Sequence, residues 1–166
     1  MSTETQSKQA VHHYRECGLD NVWIEGGFEI IKAPGGEDAI SITDLNGLHR
    51  CIADCLLEKP GLLSGAEFRF LRTELDLSQT SMAALCGRQE RTVRDWETRD
   101  DAVEEPANTI IRFVYKQRND PSVKFEEMSK QIKRIQELDK ELHELKLELK
   151  NTKQGWEADC VEQKAA

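Results

Sequence analysis

The chain lacks the features that mark a membrane protein or a secreted protein. No run of about 18 apolar residues occurs in the sequence, so no transmembrane helix is predicted. The first residues, MSTETQSKQA, contain no positively charged segment followed by an apolar one, so no secretory signal is predicted. We therefore expect a cytoplasmic protein with no membrane partner.

Cysteine pairs with metal-binding spacing are also missing. The five cysteines are irregularly spaced, which is typical of reduced thiols and predicts no C-x-x-C zinc ligands. A zinc site is the alternative, and it would need ligands from two separated groups. These groups are His12, His13 and Cys17, and His49, Cys51 and Cys55. We expect the protein to bind no metal and no cofactor. The sequence contains no motif for nucleophilic catalysis, so we do not expect an enzyme.

Excess positive charge is absent from the chain as a whole. The formal net charge is −8, which argues against a general binder of polyanions. Between residues 61 and 118, however, most of the basic residues are arginines. A local basic surface therefore remains compatible with the composition.

The N-terminal part of the chain predicts a short tail followed by a small α+β segment. Residues 1–10 are expected to be a disordered tail, and residues 11–60 to form the α+β segment. Apolar runs at 22–24 and 28–31 flank Glu25-Gly26-Gly27, which predicts a tight hairpin. A third strand is predicted at 40–42, followed by a helix that ends before Pro60-Gly61.

Residues 61–118 show the signals of several short helices in succession. Ser64 followed by Glu67 predicts a capping box at the first helix start. Ser78 is placed to cap a second helix over 79–86, and Gly87 ends it. A third helix is predicted over about 89–98, and Pro106 marks the first turn of a fourth.

The segment FLRTELDLSQTSMAALCGRQERTVRDWE, residues 70–97, carries a resemblance to a known family. Ala83, Gly87, Val93 and Trp96 have the spacing by which two helices cross closely and turn sharply. The segment resembles the helix-turn-helix of phage-repressor (Xre/Cro) proteins, and especially the C-terminal half of MqsA/YgiT-type antitoxins and the regulators related to them. This resemblance implies a four- to five-helix DNA-binding domain.

The resemblance also implies roles for individual residues. Arg72 and Glu97 are expected to form a partly buried structural ion pair. Arginines on the third helix can bind guanine or phosphate. The alternative is a solvated helix with pairs such as Glu90–Arg94 and Arg91–Asp95. The full set of expected DNA contacts is Gln79, Thr80, Arg88, Gln89, Glu90, Arg91, Thr92, Arg94 and Asp95.

Residues 122–152 predict a long amphipathic or coiled-coil helix, followed by a tail over 153–166. Apolar residues recur there at nearly heptad spacing, and no Pro or Gly lies between Pro121 and Gly155. We expect this helix to form a homodimer, although it could instead fold back on its own chain. The expected dimer contacts are Met128, Ile132, Ile135, Leu138, Leu142, Leu145 and Leu149.

Together these patterns predict a mainly α fold with a small N-terminal α+β part, a helix-turn-helix domain and a long C-terminal helix. The predicted function is sequence-specific DNA binding by a transcriptional regulator, in particular an autoregulatory repressor that binds an inverted repeat in its operator as a homodimer. The main alternative is an antitoxin that neutralises a protein toxin and represses its own operon. A third hypothesis is a scaffold that uses only the coiled coil.

Overall fold

The computed structural model describes residues 10–32, 38–99, 101–124, 130 and 143–164. In chain order the elements are β1 (Val11–His13), β2 (Val22–Glu25), β3 (Phe28–Lys32), β4 (Asp38–Ile42), α1 (Leu45–Glu58), α2 (Gly65–Glu74), α3 (Gln79–Cys86), α4 (Glu90–Arg99), α5 (Glu105–Asn119), β5 (His143–Thr152) and β6 (Gly155–Lys164). None of the helices in these described ranges is both long enough and apolar enough to cross a membrane.

Two sheets are formed from these strands. The larger sheet has the order β1-β2-β5-β6. Its central pair, β2 and β5, is parallel, and each of the two outer pairs is antiparallel. The smaller sheet consists of β3 and β4, which are antiparallel. The fold is therefore α+β, with strands from both ends of the chain in one sheet.

The predicted fold class is wrong in its C-terminal part. From residue 143 onward, the helix expected over 122–152 and the tail expected over 153–166 are replaced by the hairpin of β5 and β6. Residues 143–150, HELKLELK, alternate between polar and apolar residues after His143, which is the strand period of two. Pairing with β2 and β6 supplies hydrogen-bond partners on both edges of β5.

The predicted dimer seam is affected by the same correction. Leu149 lies in β5 opposite Ile24 of β2, and it is fully buried in the core of its own chain. Leu145 also lies in β5, where its backbone pairs with Glu162 of β6. The other five expected contacts lie outside the described residues, and they are Met128, Ile132, Ile135, Leu138 and Leu142. Residues 1–9 of the predicted tail also lie outside the described ranges.

The predicted hairpin between residues 22–24 and 28–31 is a second correction. Both segments are strands, and Gly26 and Gly27 between them have positive φ angles of 71° and 69°. The two strands nevertheless belong to different sheets, because β2 pairs with β1 and β5 while β3 pairs with β4. The glycines therefore redirect the chain from one sheet to the other.

The helices from α1 to α5 follow the local signals of the sequence. Ser64 and Glu67 form the reciprocal capping box at the start of α2, with distances of 3.3 Å from the Glu67 N–H to Ser64 Oγ and 2.8 Å from the Ser64 N–H to Glu67 Oε2. Helix α1 ends at Glu58, just before Pro60. Pro106 lies in the first turn of α5. Each of these signals acts within a few residues, so it does not depend on the rest of the fold.

One continuous core joins the sheet to the helices. Ile24 and Leu149 of the larger sheet belong to the same buried cluster as Ile52 of α1 and Phe68 of α2. Arg112 of α5 is 1 % exposed, and its guanidinium donates to the carbonyl groups of Leu57, Lys59 and Gly61 at 2.9 to 3.0 Å. It thereby caps the end of α1, whose last carbonyls have no partner within the helix. Burial lowers the pKa of Arg112 to about 10, at which the group remains charged at neutral pH.

Candidate nucleic-acid interface

Helices α3 and α4 are joined by a sharp turn at Gly87. Ser78 accepts a hydrogen bond from the Ser81 N–H at 3.0 Å and thereby caps the start of α3. Gly87 ends α3 in the left-handed conformation with φ of 62°, and no atom lies within 4 Å of the position a Cβ would take. Glycine is therefore favoured here by backbone conformation and not by lack of space.

The inner faces of α3 and α4 are fixed by apolar packing. Met82, Ala83 and Val93 are buried, and Trp96 is only 9 % exposed. The Trp96 ring meets the Phe68 ring of α2 edge-on, with centroids 5.7 Å apart. These contacts determine the rotation of α4 about its axis, because a helix that buries one face must direct the opposite face outward.

A buried ion pair connects α2 to the end of α4, as expected from the resemblance. Arg72 Nε and Nη2 donate to the two carboxylate oxygens of Glu97 at 2.6 and 2.8 Å. The side chains are 13 % and 3 % exposed. Arg72 also donates to the Leu77 carbonyl, and Gln79 Nε2 donates to Glu97 Oε2 at 2.8 Å. The amide of Gln79, one of the expected DNA contacts, thus donates to Glu97 instead.

The outward residues of α4 form a charged surface of mixed sign. Glu90 accepts from Thr80 Oγ1 at 2.8 Å and from Arg94, so it connects the start of α3 to the middle of α4. These two hydrogen bonds lower the pKa of Glu90 below its usual value. Arg91 Nε lies 3.9 Å from Asp95, and the Arg91 side chain is 85 % exposed. The two helix pairs of the alternative hypothesis, Glu90–Arg94 and Arg91–Asp95, are therefore both formed.

Two further expected contacts, Gln89 and Thr92, lie beside this surface. Gln89 precedes α4 and is exposed, whereas Thr92 is partly buried. Arg91 and Arg94, three residues apart in α4, share one exposed surface. Such a surface can offer hydrogen-bond donors and acceptors to base edges.

Arg88 is directed elsewhere. Its Nη2 and Nε donate to Glu104 at 2.6 and 3.1 Å. Glu104 immediately precedes α5, so this pair connects the turn after α3 to the start of α5. Arg88, one of the expected DNA contacts, is thus paired with a carboxylate. To contact a DNA phosphate, its guanidinium would have to leave Glu104. Both side chains are more than 40 % exposed, so this pair contributes little to stability.

The first three candidate zinc ligands, His12, His13 and Cys17, have separate partners. His12 Nε2 pairs with Glu16, the His13 ring stacks on Trp23 at 4.0 Å, and the Cys17 thiol donates to the Tyr14 carbonyl. Within the described ranges, no cluster of three or more His, Cys, Asp or Glu residues has the arrangement of a metal site.

One polar cluster was missed by the sequence analysis. Tyr14 Oη and His49 Nε2 are 2.8 Å apart, and His49 Nδ1 lies 2.8 Å from Glu74 Oε1. The three residues join the end of β1 to α1 and α2. Burial, with smaller contributions from nearby acidic groups, raises the pKa of Tyr14 to about 12, so its hydroxyl is protonated at neutral pH and can donate a hydrogen bond. The members are 35 and 25 residues apart along the chain, and no short motif could have grouped them.

Comparison with known proteins found no matching family model, no matching curated protein and no matching solved structure.

Proposed function

We propose that the protein is a sequence-specific DNA-binding transcriptional regulator that reads the major groove with α4. The observation that carries the proposal is the pair of exposed guanidiniums of Arg91 and Arg94 on the outer face of a helix whose inner face is held by Val93 and Trp96. Helix α4 follows α3 through the Gly87 turn, which is the arrangement of a helix-turn-helix. The resemblance of the sequence to phage-repressor domains supports the same proposal.

Each outward residue has a distinct proposed role. Arg91 is the most exposed of these side chains and has the weakest intramolecular contact, so it can reach a base edge at little cost. Guanidinium binds the O6 and N7 atoms of guanine in bidentate fashion. Arg94 must exchange its contact with Glu90 for one with DNA. Glu90 and Asp95 reduce nonspecific attraction to phosphate, and either carboxylate can accept from the N4 amino group of cytosine.

We further propose that two copies bind one operator. A single helix-turn-helix contacts only a short stretch of DNA, and two recognition helices about 34 Å apart read both halves of an inverted repeat. The heptad pattern does not support a helical dimer contact over residues 143–152, because these residues form a strand. The copies can therefore be joined by other residues or only by the DNA.

The test begins by selecting DNA fragments with the purified full chain, including the region upstream of its own gene. Fluorescence anisotropy then measures affinity for the selected site at one fixed salt concentration. We expect Arg91→Ala and Arg94→Ala each to weaken binding by about 1–3 kcal/mol if a base contact is lost. A lost phosphate contact would instead weaken binding to all sequences and reduce the salt slope by about one.

Arg15→Ala is the matched control. Arg15 is an exposed arginine outside α3 and α4 with only a 3.5 Å contact to Asp20, so its removal changes the total charge equally. Circular dichroism checks that every variant is folded. Unchanged affinity in both α4 variants, or equal loss in the control, would exclude α4 as the reading helix. Sedimentation of the complex gives the number of copies, and one copy on an asymmetric site would exclude the two-copy proposal.

A further inference from the structure

A polar cavity lies where α1 meets α2 and α5. Its volume is about 250 Å³, slightly below the usual range of about 300–1,000 Å³ for pockets that hold drug-sized ligands. This size is suited to a small metabolite. The lining residues are Asn46, Arg50, Glu74, Tyr115, Arg118 and Asn119. Three helices thus contribute charged or hydrogen-bonding groups to one space.

Two guanidiniums and one carboxylate line this cavity. Arg118 Nη1 donates to the backbone carbonyl of Glu74 at 3.2 Å. This hydrogen bond holds the Arg118 guanidinium beside the end of α2. Arg50 is exposed, and its charge acts on the pKa of Asp54 in the same helix and on that of Tyr115. Its exposed guanidinium can also contact an incoming anion. The lining residues carry two positive charges and one negative charge.

The carboxylate of Glu74 is held in place from behind. Its Oε1 atom lies 2.8 Å from His49 Nδ1, and His49 Nε2 lies 2.8 Å from the Tyr14 hydroxyl. With the Tyr14 hydroxyl as donor, His49 accepts at Nε2 and donates from Nδ1 to Glu74. The Glu74 side chain is 26 % exposed, so the carboxylate is oriented but still accessible to a ligand.

Tyr115 forms a buried part of the lining. It is 6 % exposed, and burial raises the pKa of its phenol. The phenol is therefore neutral, and it can accept or donate a hydrogen bond. Asn119, one turn later in α5, also lines the cavity and opposes the rise in the pKa of Tyr115.

We propose that this cavity binds an acidic amino acid, a small ligand with two carboxylates and one ammonium group. Arg50 and Arg118 would each bind a carboxylate, and Glu74 would bind the ammonium. The ligand's charges then complement those of the cavity. An inorganic phosphate would satisfy the guanidiniums but would also face the Glu74 carboxylate, and like charges at close range repel.

This ligand site goes beyond DNA binding and does not depend on it. Arg50 belongs to α1 of the N-terminal segment, whereas Arg118 belongs to α5 of the helix-turn-helix unit. A ligand held by both helices stabilises their junction, because a molecule that binds only the folded chain raises its stability by mass action. Binding can therefore be measured without DNA.

The experiment is titration calorimetry on the full chain at constant ionic strength. The probes are L-glutamate, L-aspartate, glutarate and inorganic phosphate. We expect saturable binding of at least one of the two amino acids. Glutarate lacks the ammonium group, so we expect it to bind about tenfold more weakly than L-glutamate if L-glutamate is the ligand. A lost hydrogen bond to a charged group is worth about this factor.

Three variants assign the binding to this cavity. Arg50→Gln should weaken amino-acid binding about tenfold or more, because it removes one of the two guanidiniums that line the cavity. Glu74→Gln keeps an oxygen that can accept from His49, and it should reduce the preference for the ligand with an ammonium group. Arg69→Gln, an exposed arginine of α2 outside the cavity, should bind as the unmodified chain does.

Several results would overturn the proposal. The first is absence of saturable heat with both amino acids at about 10 mM, where a site with Kd near 1 mM would be about nine-tenths occupied. A second is tighter binding of phosphate than of either amino acid. A third is equal loss of binding in the Arg50 and Arg69 variants. Thermal denaturation of each variant shows whether it is folded, so a failure of folding is distinguished from a failure of binding.

Discussion

The ion pair of Arg72 and Glu97 gives the sharpest test of how the helix-turn-helix is held together. Substitution Arg72→Met removes the guanidinium but keeps a long apolar stem in α2. Glu97 then keeps only the hydrogen bond from Gln79. The carbonyl of Leu77 also loses its donor, which lies 2.7 Å away in the unmodified chain.

The expected loss of stability is about 3 kcal/mol. Breaking a buried pair from one side costs about 3–5 kcal/mol, because it leaves an uncompensated charge. Glu97 is 3 % exposed and Arg72 is 13 % exposed, so the pair is nearly but not completely buried. The remaining bond from Gln79 moves the estimate toward the lower end. A loss of this size is a large fraction of the roughly 5–15 kcal/mol that stabilises a typical domain.

Urea denaturation followed by circular dichroism measures this change. The slope with urea should stay constant while the midpoint falls. The double variant Arg72→Met/Glu97→Gln should be about 1–2 kcal/mol more stable than Arg72→Met, because the amide removes the stranded charge. Arg69→Met, at an exposed position one turn earlier in α2, should change stability by no more than about 0.5 kcal/mol.

A loss below about 1 kcal/mol in Arg72→Met would contradict a buried, unpaired Glu97 carboxylate, since such a value is typical of exposed pairs. A double variant no more stable than Arg72→Met would contradict it as well. In that case the cost would come from lost packing of the arginine stem and not from an unpaired carboxylate.

Three further predictions concern stability. Gly87→Ala should cost about 1–2 kcal/mol in urea denaturation and Gly87→Asn less, because the φ of 62° is strained for alanine and better tolerated by asparagine; equal losses would contradict this. Arg112→Met should cost about 3 kcal/mol, since three carbonyls in the last turn of α1 and just after it lose their donor, and a loss like that of an exposed arginine would contradict the capping role. Hydrogen bonds from Thr80 and Arg94 lower the pKa of Glu90 in the folded chain below its ordinary value of 4.5. The ionised carboxylate therefore stabilises the fold above pH 4.5, and this stabilisation is lost as the pH falls through the lower pKa of the folded chain. Glu90→Gln should therefore lose less stability than the unmodified chain on acidification through that range, and parallel pH profiles would argue against it.

Much of the helical part of the fold could be predicted because its signals are local. Ser64, Ser78 and Gly87 act on backbone groups within a few residues. Their effects on helix ends therefore do not depend on tertiary contacts, and the sequence pattern predicts them correctly. The apolar spacing around Val93 and Trp96 likewise determines which face of α4 is buried. The outward surface of α4 follows from that burial.

The C-terminal hairpin could not be separated from a helix by residue type. Leu, Lys and Glu favour helices. The nearly heptad spacing of apolar residues up to Leu149 also predicts a helix, but that spacing does not include Leu147. Leu145, Leu147 and Leu149 in fact alternate with charged residues, as a strand requires. The deciding contact is the pairing of β5 with β2, and these strands are more than a hundred residues apart in the chain.

The partners of several polar groups were likewise decided only by tertiary structure. Arg88 faces Glu104, and Gln79 faces Glu97, although spacing alone allowed both to face DNA. The cavity between Arg50 and Arg118 exists only because α1 lies beside α5. Local sequence determines where a helix begins, where it ends and which face is apolar, because those effects are short in range. Which charged groups meet, and whether an ambiguous segment becomes a strand, depends on distant parts of the chain that come together only when the core forms.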